Sequence, residues 1–249
     1  MDGFLVFILG LVVGSFMNAV IYRLHKGVSF VRGRSYCPHC KHELHFFDLI
    51  PIFSFIMLRG RCRYCAKRIS WQYPLVELAT GIIFFSLWWQ FGLSWDLGVY
   101  AIYSVFLLII FVFDLRYYLI LDVVSVPAMV IAALASYFIL DLDILSMAIG
   151  ALIGGGFFYL QYLVSRGKWI GGGDIRLGVV MGLMLGFPNI LVALFVAYCV
   201  GSLVGIGLIL AHTKQWKSQV PFGTFLSAAT IITFFFGTAA VNFYRGFVL

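Results

Sequence analysis

Long apolar stretches separated by short polar breaks dominate this chain. Eight of them, 3–23, 74–91, 97–117, 123–140, 144–165, 174–187, 190–211 and 222–244, are candidate membrane crossings. A helix needs roughly 20 predominantly apolar residues to cross the hydrocarbon core of a bilayer. Stretch 174–187 is short for that unless it borrows a turn from its flanks. The first stretch begins at once, without a charged leader or a small-residue cleavage site, and reads as a retained helix rather than a signal peptide. Residues 25–73 form the only substantial segment outside the apolar stretches. The pattern predicts an all-α polytopic membrane protein of about eight transmembrane helices with a small loop domain between the first two. Its divisions are 1–24 (first helix), 25–73 (loop domain) and 74–249 (the remaining helices).

Composition agrees. With 63% hydrophobic and 11% charged residues, and a mean hydropathy of +1.03, the surface is too apolar for water to solvate as an ordinary soluble domain. The net charge of +7 therefore reports orientation rather than a nucleic-acid partner. Basic residues crowd the loop after the first stretch and recur in alternate later breaks. The intervening breaks hold Asp96, Asp141, Asp143 and the uncharged 187–189 segment. Eight spans with both termini outside put 16 of the 17 Lys and Arg, all but Arg245, on the cytoplasmic side.

The loop carries the most specific pattern. Cys37-Pro38-His39-Cys40 and Cys62-Arg63-Tyr64-Cys65 are two C-x2-C knuckles 21 residues apart, a spacing suited to four thiolates converging on one tetrahedral zinc. Disulfides are the alternative, but they rarely persist in the reducing cytosol. So small a segment also gains from a metal staple. Four sulfurs fill the coordination sphere, which makes the site structural. His39, His42 and His45 are nearby alternative ligands that read more simply as solvated loop residues. Nine basic residues against Glu43 and Asp48 suit contact with anionic lipid headgroups. The apolar 50–58 segment is expected at the interface or against the bundle.

The remaining chemistry is acidic. Glu77 follows Trp71, Tyr73 and Pro74 at the start of the second span; it is a candidate site residue, or a favourable charge at a helix N-terminus. Asp114 lies near the end of the third span, where Arg116 is too close in sequence to face it. Asp122 resembles an N-cap. Gly171-Gly172-Gly173-Asp174 opens the sixth span. Gly171 and Gly173 allow an extended peptide to approach closely, with Asp174 beside it, although Asp174 is also a good helix cap. Two nearby carboxylates can share a proton, one activating water while the other polarises a peptide carbonyl. Helix-end electrostatics place the proton on Asp114 and the charge on Asp174. Elsewhere, Gly150 with Gly154 and Gly201 with Gly205 are expected to let helices approach. Gly154-Gly155-Gly156 lies inside an apolar run with no basic residue to meet a phosphate, and Cys199 is expected to be buried. His212, Lys214 and Lys217 fall in a cytoplasmic break.

Taken together, several stretches resemble one family. They are Gly14-Ser15-Phe16-Met17-Asn18 through Tyr22-Arg23, Gly33-Arg34-Ser35, Leu58-Arg59-Gly60-Arg61-Cys62 into Ile69-Ser70, Tyr73-Pro74 and Glu77, Phe113-Asp114-Leu115, Gly171–Gly178 and Pro221-Phe222-Gly223. They resemble the type IV prepilin peptidases, a group of GxGD membrane aspartyl proteases. The resemblance implies that Asp114 and Asp174 are the catalytic pair and that Cys37, Cys40, Cys62 and Cys65 bind the metal. It further implies cleavage of a short leader from prepilins or pseudopilins at the cytoplasmic face of the bacterial inner membrane, with methylation of the new N-terminus by S-adenosylmethionine in many members. Departures from the usual pattern are Leu121 for proline, Gln72 for arginine, Arg176 for lysine and Thr224 for a second proline. The acid pair alone also fits a protease of the signal peptide peptidase kind, and the cysteines alone a metal-stapled scaffold or transporter.

Overall fold

The computed structural model describes residues 1–29, 33–211 and 220–248. His212, Lys214 and Lys217 lie outside the described residues. Among those described the chain is all-helical, with only two isolated β-bridges, Tyr36 to Glu43 and Arg61 to Arg68, in the loop. The helices are α1 (Asp2–Lys26), a short α2 (Phe53–Met57) inside the loop, α3 (Gln72–Phe91), α4 (Trp95–Tyr117), α5 (Asp122–Phe138), α6 (Ile144–Ser165), α7 (Gly172–Leu185), α8 (Asn189–Leu210) and α9 (Phe222–Val248). All eight expected spans are helices, and six of them, α1, α3, α4, α6, α8 and α9, are long and apolar enough to cross a membrane. The other two, α5 and α7, have 17 and 14 residues. At about 1.5 Å per residue α7 falls short of the hydrocarbon thickness.

The chain divides into two compact units, Met1–Leu97 and Gly98–Leu249. In the first, α1 and α3 run antiparallel. A Cβ on Gly10 would stand 2.8 Å from the Gly81 Cα, and one on Gly14 would stand 2.7 Å from the Glu77 Cα. Asn18 lies on the same α1 face; its Nδ2 donates to the Tyr73 carbonyl at 3.1 Å, and its Oδ1 accepts from Gln72 Nε2 at 3.1 Å. Gly10, Gly14 and Asn18 thus give α1 its close packing and interhelical hydrogen bonding.

In the second unit α7 packs against α5, α6, α8 and α9, and Leu177, Val180 and Met181 on it are fully buried. Gly150 and Gly154 of α6 meet Gly182 and Gly178 of α7 backbone to backbone, so a Cβ on Gly150 would stand 2.6 Å from the Gly182 carbonyl oxygen. Side chains would hold two such helices 8–10 Å apart at about the usual separation, whereas glycines remove that spacer. The second expected pair behaves differently. Gly201 makes ordinary contact with Phe222 and Phe225, and Gly205 faces open space, so it brings no helix close. Cys199 is exposed rather than buried among the described residues. Gly154–Gly156 are helical, as their apolar context implied.

Gly154→Val is expected to force α6 from α7 and to cost about 1–3 kcal/mol or more. Gly156, with no atom within 4 Å of an added Cβ, should accept alanine neutrally or gain up to about 1 kcal/mol in helix propensity. Thermal unfolding of the two variants in detergent measures the contrast.

Candidate active site and metal centre

Asp114 sits in the last turn of α4 at 6% exposure. Its Oδ2 accepts the Thr224 backbone N–H at 2.8 Å and lies 3.4 Å from the Thr224 hydroxyl, which also donates to the Pro221 carbonyl. The departure at 224 thereby acquires a consequence, since proline has no N–H to offer the carboxylate. Gly223 approaches so closely that a Cβ there would stand 3.0 Å from Asp114 Oδ2.

Asp174 is the third residue of α7. Gly171 occupies the N-cap position, and Asp174 Oδ2 accepts the Gly171 N–H at 3.2 Å. The capping role expected of Asp174 is therefore exercised from inside the first turn, where a negative charge also suits the helix dipole. Ile120, between α4 and α5, wedges against both glycine turns. A Cβ on Gly173 would lie 2.8 Å from Ile120 Cβ, and one on Gly223 would lie 2.9 Å from Ile120 Cδ1. The start of α7, the start of α9 and the end of α4 thus converge around Ile120 at one end of the unit, bringing the segments that hold Asp114 and Asp174 together. Asp114 accepts from the Thr224 backbone and Asp174 from that of Gly171, and two interacting carboxyls bind a shared proton as a unit.

Two polar side chains of the second unit had no sequence signal, because a lone Tyr and a lone Gln in apolar helices form no motif. Gln161 lies on α6 and Tyr198 on α8. The Tyr198 hydroxyl lies 2.9 Å from Gln161 Nε2 and donates to Gln161 Oε1 at 3.2 Å, and the tyrosine ring packs 4.8 Å from that of Phe222. Asp122 is not the N-cap of α5, a position Leu121 holds. It pairs with Arg176 of α7 at 2.5 Å, with both side chains partly exposed. Such a pair orients two helix starts more than it stabilises them.

Glu77 is buried at 6% exposure and commits Oε2 to the Ile52 N–H at 2.8 Å. Ile52 has φ of +60°, an unfavourable conformation for a branched residue, so this hydrogen bond anchors the loop. Glu77 therefore carries a structural role in fixing the loop on α3. The apolar loop segment indeed packs on the helix, with Phe55 5.0 Å from Trp71.

The four loop cysteines converge. Their Sγ atoms all lie within 4.8 Å of one another, Cys37 to Cys65 at 3.9 Å. Zinc–sulfur bonds of about 2.3 Å in a tetrahedron need sulfurs roughly 3.8 Å apart, so the cluster has the right size for a metal ion. The Lys67 N–H favours the Cys65 thiolate, but burial and the thiols of Cys62, Cys40 and Cys37 push Cys65 up to about 11. Thiols crowded in this way ionise together only with a cation between them. His42 instead stacks on Tyr64 at 3.7 Å, and no histidine joins the cluster among the described residues. Asp48 braces the second knuckle, accepting from Arg63 Nε at 2.7 Å, the Tyr64 hydroxyl at 3.0 Å and the His45 N–H at 3.2 Å. Burial raises the Asp48 carboxyl, and these hydrogen bonds outweigh it, holding it below its ordinary 3.8.

Comparison with known proteins now supplies a class. Residues 101–206 match the Type IV leader peptidase family and residues 8–91 match the Bacterial Peptidase A24 N-terminal domain, so the protein is of the membrane peptidase class. Relatives that carry the name prepilin leader peptidase/N-methyltransferase include three from Bacillus subtilis, Myxococcus xanthus and Pseudomonas aeruginosa. The one from Bacillus subtilis is 32% identical over 243 residues, covering 96% of each chain. That from Myxococcus xanthus is 40% identical over 211 residues, 82% of this chain and 62% of its own. That from Pseudomonas aeruginosa is 28% identical over 267 residues, 96% of this chain and 92% of its own. No solved structure matches. The chain belongs to the type IV leader peptidase family.

Asp48→Asn should weaken the loop by about 1–3 kcal/mol and speed its limited proteolysis roughly tenfold or more. A depressed carboxyl stabilises above its unfolded value and loses that contribution as pH falls through the folded one. The difference between wild type and variant should accordingly stay constant at neutral pH and narrow only below 3.8.

Proposed function

We propose that this protein cleaves the leader from type IV prepilins or pseudopilins at the cytoplasmic face of the bacterial inner membrane, with Asp114 and Asp174 as the catalytic pair. The observation that carries the proposal is their convergence across 60 residues of chain onto one glycine-lined helix end. One carboxylate takes a proton from water, whose oxygen bonds to the scissile carbonyl carbon while the other, protonated acid donates to the carbonyl oxygen. Collapse of that intermediate breaks the C–N bond and passes a proton to the departing amine. Gly171 and Gly173 leave room for an extended peptide beside Asp174. Tyr198, packed on Phe222 at the start of α9 and hydrogen-bonded to Gln161, would help orient that peptide.

The metal is proposed to be zinc, held by Cys37, Cys40, Cys62 and Cys65 as a closed structural site. Residues 25–73 form the stapled loop on the cytoplasmic side, touching anionic headgroups, and 74–249 carry the peptidase chemistry, with both termini outside. Methylation by S-adenosylmethionine is proposed on the relatives' name alone. No strand, and hence no strand–glycine–helix cradle for an adenosyl group, occurs among the described residues.

Asp114→Asn and Asp174→Asn should each lower cleavage of a prepilin-like peptide by about a thousandfold or more while leaving peptide binding measurable. Undiminished turnover in either variant rejects the shared-proton mechanism. Metal analysis of reduced, purified protein should give close to one zinc per chain, and Cys62→Ser should lose it; a ratio near zero in wild type removes the zinc assignment.

A further inference from the structure

The described arginines of the loop divide into two groups. Arg34 pairs with Glu43 at 3.1 Å and Arg63 with Asp48 at 2.7 Å. Arg59, Arg61 and Arg68 have no ion-pair partner among the described residues, yet all three line one groove of about 660 Å³. Both loop acids are already engaged, and Glu77 is buried against Ile52, so the unit holds no nearby carboxylate to balance them. Arg61 and Arg68 sit opposite each other in a β-bridge. Like charges facing one another across a bridge are unfavourable without a counter-charge.

The rest of the groove is apolar. Ile56, Trp71 and Leu75 line it at 66%, 70% and 60% exposure. From Leu75 the exposed apolar surface continues along α3 through Leu78, Ile82, Phe85 and Trp89, spaced at alternating intervals of three and four and therefore on one helical face. The unpaired guanidinium groups sit at the N-terminal end of this stripe, where Trp71, Tyr73 and Pro74 mark entry into the bilayer. An occupant must be anionic at the loop end and long and apolar toward the helix.

We propose that this groove binds one anionic phospholipid, its phosphate against Arg59, Arg61 and Arg68 and an acyl chain along Leu75, Leu78 and Ile82. Planar guanidinium forks suit phosphate oxygens. The site deepens the headgroup contact proposed above and rests on that part of the reading, independently of peptide cleavage. One lipid held there would tie the metal-stapled loop to the membrane entry of α3.

The test uses the full chain reconstituted with phosphatidylcholine and roughly 30 mol% phosphatidylglycerol, an anionic fraction that gives a substantial surface potential, with retained lipid counted by native mass spectrometry. One phosphatidylglycerol should remain on wild type and on Arg34→Gln. Retention should fall about tenfold or more in the Arg61→Gln, Arg68→Gln double variant and fall again in Leu75→Gln, whose charges are intact. Metal content equal to wild type certifies a folded loop in each variant. Equal retention of phosphatidylcholine, unchanged retention in the double variant, or full displacement by inorganic phosphate overturns the proposal. Because retention is read by mass, its failure leaves the peptidase proposal standing, and failed cleavage leaves the lipid site standing.

Discussion

The backbone contact between α6 and α7 is the constraint on which the second unit depends. Gly150 and Gly154 on one helix and Gly178 and Gly182 on the other let the two approach without side chains between them. In hydrocarbon, where apolar side chains gain little by leaving the lipid, close van der Waals packing and polar contacts are the main forces joining helices. The contact also accounts for α7 being short. Helices on several sides surround it, and its buried residues are satisfied by protein, so it does not need the length of a free-standing span. Its first turn is fixed as a result, and Asp174 with it.

The first unit solves a related problem with different materials. Glycines again bring α1 and α3 together, but the loop between them has too little apolar mass to fold by itself. It is held by three fastenings: the cysteine cluster, the Asp48 hydrogen bonds, and the Glu77 carboxylate that fixes Ile52. Each joins residues distant in sequence. An acid buried in an apolar helix is costly unless it has donors, and Glu77 meets that condition through the loop backbone.

Much of the fold was legible because a membrane imposes a simple rule. Every backbone polar group in hydrocarbon must be satisfied within its own helix, so apolar runs become helices with little ambiguity. The expected span 144–165 coincides with α6, and 222–244 differs from α9 only at its end. The C-x2-C knuckles were equally plain, since metal geometry restricts ligand spacing. Errors arose where neighbours decide. Cys199 and Gly205 lie in apolar sequence that reads the same whether it faces protein or lipid, and both face outward. Glu77 and Asp114 are both acids at helix ends, and their hydrogen-bond donors, Ile52 and Thr224, are set by tertiary packing alone.

By itself the sequence determined the helices, the metal-type loop and the two acids, because hydrocarbon length, thiolate chemistry and the cost of burying charge act on residue type alone. Tertiary structure decided that Ile120 joins the two glycine turns, that Thr224 donates to Asp114, and that three arginines without an ion-pair partner among the described residues line one apolar groove. Those relations depend on which helix faces pack together, a matter of shape between distant segments that no local pattern records.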